Sequence, residues 1–206
     1  MVCMRIRHKK STALCCNFVV SLSILMVKHK GIKAVLGAAE QIQPGIFAMI
    51  LEKIWLPFAR NVTDLMDRKL LTLGMITICG DPLFQNEPKL VPLFPQLINC
   101  VVEIFEAGPL VSNEQKTADF YISKLEEQGA GNKFAGLQFA KSPSHDVSKG
   151  MKDPRALLVD CMVKVLGGNG QRTMAFAQQS KPVICKAINE YAVKFKANFK
   201  VPVLNK

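Results

Sequence analysis

Apolar positions recur along most of the chain at steps of three and four residues, the period of helices that bury one face. The densest stretch runs from Ala13 to Val27, where the polar side chains are Asn17, Ser21 and Ser23. Lys10, Asn17, Ser21 and Lys28 follow one another at steps of seven, four and seven. At about 100° per residue these four share one narrow stripe. The pattern predicts a helix that is apolar all round except for a thin wet edge, the profile of a helix held between neighbours. The flanking Arg5, Arg7, Lys9, Lys10, Lys28, His29 and Lys30 imitate a signal peptide or membrane anchor, but no small-residue cleavage site follows. The run is roughly 22 Å long at about 1.5 Å per residue, short of a hydrocarbon core of roughly 30 Å.

Beyond Gly31, Ile32, Val35, Leu36 and Ala39 line one face of a helix that Pro44-Gly45 breaks after Gln43. Ile46, Phe47, Ile50 and Ile54 continue at helical spacing up to Pro57. Val62, Met66, Leu70, Leu73 and Thr77 form the next stripe, with Asp64, Asp67 and Arg68 opposite, Asn61 as its candidate cap and Gly80-Asp81-Pro82 as its stop. A further helix is expected from about Pro88 to Phe105, bent or delayed by Pro92 and Pro95. Glycines and prolines then punctuate a polar stretch. Helix returns from Asp153 to Val165, stops at Gly167-Gly168-Asn169-Gly170 and resumes from about Lys181 to Asn198, with a fraying tail beyond Lys200.

No two-residue alternation competes with this pattern, so the fold class is all-α. Leu56-Pro57-Phe58 returns as Leu93-Phe94-Pro95 about 38 residues later, a period of the HEAT type. The expected architecture is an α-solenoid of HEAT-type antiparallel helical hairpins. It would hold helical repeats over 1–106, a long polar loop with short helical turns over 107–150, and a C-terminal helical repeat with a basic tail over 151–206.

Charge changes this picture only at the ends. The net +11 is carried by residues 1–33, with seven basic and no acidic side chains, and by 151–206, with ten basic and three acidic. The body between is slightly acidic, unlike a uniformly basic nucleic-acid-binding domain. Seven cysteines, an odd number with no C-x-x-C, fit reduced thiols in the cytosol or nucleus, and three scattered histidines complete no zinc spacing. Cys15-Cys16 read as packed thiols and His145-Asp146 as neighbours that cannot orient each other as a catalytic pair. Gly167 to Gly170 lack the Lys-Ser/Thr of a phosphate loop. No catalytic residue, metal or cofactor is expected. Trp55 and Phe58 read as core, with a partner anchor as the alternative.

The block Ile42-Gln43-Pro44-Gly45-Ile46-Phe47-Ala48-Met49-Ile50-Leu51-Glu52-Lys53-Ile54, closed by Pro57, resembles the C-terminal region of the exportin-2 family, also called the cellular apoptosis susceptibility family, in the importin-β superfamily. Lys9 to Thr12, Asp67 to Leu70, Gly74-Met75, Phe134, Leu137 to Ala140, His145-Asp146 and Pro154 extend the likeness over roughly residues 9–170. The resemblance implies a HEAT-repeat receptor that returns importin-α from nucleus to cytoplasm together with Ran-GTP, shuttling between the two compartments as a non-catalytic scaffold with no small-molecule substrate. The face bearing Asp64, Asp67 and Arg68 is the candidate partner surface. Self-association through apolar repeat ends, centred on Ala13 to Val27, is also expected.

Two other readings stay open on the residues. One is a membrane-tethered protein anchored by residues 9–30, for which the sequon Asn61-Val62-Thr63 supplies a glycan test. The other is a non-specific nucleic-acid binder using Lys186, Lys194, Lys196 and Lys200 with Tyr191 and Phe195.

Overall fold

The computed structural model describes residues 11–108 and 152–204, and every regular element among them is helical. Helix α1, Thr12–His29, keeps Asn17, Ser21 and Lys28 exposed and buries Cys15, Val19, Val20, Ser23, Met26 and Val27, which is the wet-edge pattern the spacing predicts. It closes on Lys30 in the left-handed region, φ 52°, with the Lys30 and Gly31 N–H groups returning to Val27 and Met26 carbonyls.

Helix α2, Lys33–Ile42, turns through 105° into the helical run α3, Ile46–Ala59. Pro57 does not end α3 as the sequence suggests. A π-helical turn over Leu51–Trp55 precedes it, in which the Leu56 N–H reaches back to the Leu51 carbonyl. That wider turn relieves the clash between a proline ring and the carbonyl four residues earlier, so the helix carries on to Ala59.

Helix α4, Leu65–Gly80, is capped by Asp64 and not by Asn61. The Asp64 carboxylate accepts from the Met66 and Asp67 N–H groups, while the Asn61 N–H is used to close α3 on Phe58. Asp81 then serves two helix starts at once. One oxygen accepts from the Leu83 N–H of the short α5, Pro82–Asn86, and the other from the Ile32 N–H at the head of α2, 2.9 Å away. Gly31 lets the chain come that close, since a Cβ there would lie 2.9 Å from the same oxygen.

After a 3₁₀ turn at Val91–Leu93, α6 runs over Phe94–Glu106. Pro92 and Pro95 fall at helix starts, where no N–H is needed, and thereby delay α6 instead of bending it. Helix α7, Pro154–Leu166, follows its Asp153 cap. Helix α8, Gly170–Gln179, was not legible in the sequence: its anchors are only Thr173, Phe176 and Ala177 in a polar run. Helix α9, Pro182–Lys194, ends earlier than Asn198 because Lys196 turns left-handed at φ 56°. The tail is docked as far as Leu204, not frayed. Val201 is fully buried, and the Asn189 side chain donates to its carbonyl and accepts its N–H.

Packing centres on α4. Residues Leu70 to Ile76 are buried without interruption, because α1, α6 and α7 cover the helix on different sides. Each leucine or isoleucine so buried contributes roughly 1.5–3 kcal/mol, and the buried hydroxyls of Ser23 and Thr72 are satisfied by carbonyls of their own helices. One apolar cluster joins α1, α3, α4, α6, α7, α8 and α9.

The α1–α4 crossing is close at Gly74. A Cβ on Gly74 would stand 2.6 Å from Ser23 Cβ and 2.8 Å from its Cα, whereas a Cβ on Gly37, also helical, would meet nothing within 4 Å. The same substitution therefore has opposite signs. Gly37→Ala is expected to raise stability by about 0.5–1 kcal/mol, through helix propensity alone. Gly74→Ala is expected to lower it by about 1–3 kcal/mol despite that propensity. Urea titrations of the two variants check both.

Candidate partner-binding surface

Asp64, Asp67 and Arg68 fall at the N-terminal end of α4, and the structure already engages all three. Asp64 is the exposed helix cap described above. Arg68 is half-buried and donates from Nη2 to the Ile104 carbonyl, 2.6 Å away, near the end of α6. Asp67 is half-buried and engaged. What this face offers a partner is the outer edge of Asp64 and Asp67 over a structural arginine.

The chemistry beside it was missed in the sequence. Arg155, from the first turn of α7, donates to the Phe105 carbonyl at 3.1 Å and lies over the Phe105 and Tyr191 rings, 5.2 and 5.8 Å from their centroids. Two guanidinium groups from two different helices thus cap adjacent carbonyls at the C-terminal end of α6, where the helix dipole favours positive charge. The Tyr191 hydroxyl donates to the Glu106 carboxylate. Burial, and then that carboxylate, push the Tyr191 pKa well above the usual phenol range. The signal was available: a basic residue in the first turn of a helix opposes the dipole, so Arg155 asked for a tertiary partner.

One turn earlier, Glu103 joins three helices. It accepts from Arg60 Nε of the residue that follows α3, 2.7 Å away, and from Lys181 Nζ at the head of α9, 3.1 Å away. Burial alone would raise the Glu103 pKa, but the hydrogen bonds and charges of Lys181 and Arg60 outweigh it and hold the carboxyl below its ordinary value.

The remaining candidates resolve toward packing. Trp55 is fully buried and Phe58 half-buried against the core, which leaves no exposed aromatic anchor there. Cys15, Cys79, Cys100, Cys161 and Cys185 are buried and Cys16 is half-buried, with its thiol facing the Phe58 carbonyl. Burial pushes the Cys100 thiol up to about 11 and the Cys161 thiol up to about 12, so both stay protonated and unreactive. His145-Asp146 and the polar stretch over 109–151 lie outside the described residues.

Neither rival reading of the sequence is favoured. Tyr191 is buried with its hydroxyl engaged, and Phe195 is half-buried with Lys194 5.4 Å over its ring, so the basic C-terminal helix presents no open aromatic platform for bases. The membrane reading needs a correction in the other direction. At 18 residues α1 is long and apolar enough to cross a membrane by length and composition. Against an anchor stands the side from Cys15 to Val27, a third of the helix, which is buried where α1 packs on α4.

The sequence family described as CAS/CSE protein, C-terminus, matches residues 1–191, which reaches through α8 and most of α9, well past the Gly170 limit of the residue-level likeness. Exportin-2 of Danio rerio is 25% identical over 163 residues, 78% of this chain and 16% of that protein. Exportin-2 of Dictyostelium discoideum is 26% identical over 164 residues, 77% and 17% respectively, and that of Homo sapiens 23% over 162 residues, 78% and 16%. The chain thus spans about a sixth of the length of the curated relatives it matches. No solved structure matches it.

Glu103 generates a pH prediction. A carboxyl whose pKa is depressed in the folded state contributes stability above its unfolded value and loses it as pH falls through the folded one. Its partners are largely exposed, so the contribution is about 1 kcal/mol or less. Urea titrations should find Glu103→Gln less stable than the parent by that amount at neutral pH. The difference should shrink as pH falls below the ordinary carboxylate range and vanish only once the pH has passed the depressed value at which the folded carboxyl takes up its proton.

Proposed function

Because the chain belongs to the CAS/CSE protein C-terminal family, whose curated members here are nuclear transport receptors of the exportin-2 kind, we propose that it acts as a non-catalytic protein-binding scaffold in importin-α re-export. In this reading it supplies the closing helical repeats of an α-solenoid and engages importin-α together with Ran-GTP, shuttling between nucleus and cytoplasm. The single observation that carries the reading is the family match over residues 1–191 with exportin-2 relatives covering 77–78% of the chain.

The fold supports it physically. Among the described residues the helices bury one shared apolar cluster and no charged side chain, which suits a frame whose output is shape. Binding work in such a frame comes from differential affinity between shapes of the stack and needs no reacting group. The stiff α4 spine and the doubly capped end of α6 are the parts that would hold a partner surface in place. Asp64, Asp67 and Arg68 are the residues we assign to that surface, Arg68 being tied to the Ile104 carbonyl.

Capture from a nuclear-cytoplasmic lysate with the whole chain as bait, with and without GTP-locked Ran, tests the proposal. Importin-α should be recovered, and more of it with Ran-GTP present. Asp64→Asn with Asp67→Asn should reduce that recovery while circular dichroism stays unchanged. Recovery of neither protein in either condition would overturn the reading.

A further inference from the structure

Helices α1, α2 and α3 enclose an open apolar trough of about 290 Å³. Phe18, Leu22 and Leu25 form one wall, at steps of four and three along α1, and Val35, Ile42 and Ile50 stand on the other side. Leu25 is 45% and Ile42 73% exposed, so two large apolar side chains meet solvent along the same groove. The α1 wall continues to His29, so it spans three turns, about 16 Å. That is the length over which the ridge of one further helix seats in a groove.

The rim decides what kind of helix. The trough shares His29, Ala34 and Ala38 with a second depression that also contains Lys30 and Lys33. His29, Lys30 and Lys33 are exposed, and none is ion-paired among the described residues. The acids nearest in the fold are already committed: Asp81 to the Ile32 and Leu83 N–H groups, and Glu40 to the Gly45 N–H at 2.6 Å. Asp81 lines the second depression with Lys30 and Lys33 and keeps its charge there, so the edge beside the apolar floor is positive by the excess of two lysines over one carboxylate. A second copy of the chain would bring the same cations against themselves, and residues 1–10 carry four basic side chains and no acidic one, so neither complements the rim. A bilayer surface is no better match, because a membrane-binding face projects its apolar side chains and this one is concave.

We infer that this trough is a docking site for an amphipathic helix of a partner protein, with apolar residues at three- and four-residue steps and glutamates or aspartates along the flank that meets His29, Lys30 and Lys33. The inference deepens the scaffold reading by giving one partner's chemistry, and rests on it only in treating the chain as protein-binding.

The test uses the whole chain and two labelled helical peptides of the same Leu/Ile stripe, one flanked by Glu and the other by Lys, read by fluorescence anisotropy. The Glu peptide should bind at least about tenfold more tightly, and should weaken several-fold as salt rises from about 50 to about 500 mM. Leu25→Glu with Ile42→Glu, both at exposed positions, should abolish binding with the helical spectrum unchanged. Lys30→Glu with Lys33→Glu should invert the preference toward the Lys peptide. Equal affinity for the two peptides, or indifference to both pairs of variants, would overturn the inference. So would a homodimer in sedimentation that Leu25→Glu with Ile42→Glu dissolves, or flotation with anionic vesicles that the same pair prevents. Peptide binding alongside failed importin-α capture would leave this inference standing and remove only the scaffold's proposed cargo.

Discussion

The rest of the structure hangs on one close approach, where α1 crosses α4 with Ser23 against Gly74. Interhelical distance is set by the side chains at the crossing, and here one partner has none. That brings the apolar sides of two long helices close enough for Val19, Met26, Leu71 and Met75 to be buried almost completely. Because α4 is also covered by α6 and α7, the spacing set at Ser23 and Gly74 is passed to both sides of the molecule. Close-packed interiors transmit such displacements instead of absorbing them.

Polar groups then fix what apolar burial leaves free. Burial is non-directional and would tolerate helices sliding along one another. The sliding is blocked at helix ends, by Asp81 holding the heads of α2 and α5, Arg68 and Arg155 holding the tail of α6, and Asn189 holding Val201. The aspartate and the arginines satisfy backbone groups that a helix terminus cannot satisfy alone, and Asn189 does the same for the tail at Val201. The trough between α1, α2 and α3 is lined by none of these clamps, and Leu25 and Ile42 stay exposed along it.

What the sequence disclosed follows the strength of its signals. The stripe of Asn17, Ser21 and Lys28 was readable because one-sided polarity in an apolar run has few explanations, and all three are exposed. Helix ends at Asp81-Pro82 and Asp153-Pro154 were readable because an acidic cap before proline has a direct mechanism. Helix α8 was hidden, since its three buried anchors are spread through glutamines and an arginine. Asn61 reads as the cap from residue type alone, and only the geometry shows that Asp64, three residues on, takes that place. The candidate surface was only half legible: periodicity placed Asp64, Asp67 and Arg68 on one side of α4, but it could not say that the carbonyl of Ile104, 36 residues on, would claim the arginine. The docked tail escaped for the same reason, resting on Asn189 and Val201 with no periodic pattern at all.

The π turn over Leu51–Trp55 has a consequence for how this region can vary. One residue more than an α-turn holds is accommodated there, so everything after it is rotated by up to about 100° relative to an uninterrupted helix. The rotation brings Ala59 onto the same buried side as Phe47, Leu51 and Trp55, although a plain 3.6-residue period would carry it progressively outward. The turn therefore works as a phase correction, and what it stores is residue count, not residue identity. Side chains in Leu51–Trp55 can be exchanged within the limits of packing, but dropping one residue would straighten the helix and dial Ala59 and the Arg60 that reaches Glu103 away from their neighbours together. In related chains, length across this segment should be held more tightly than composition.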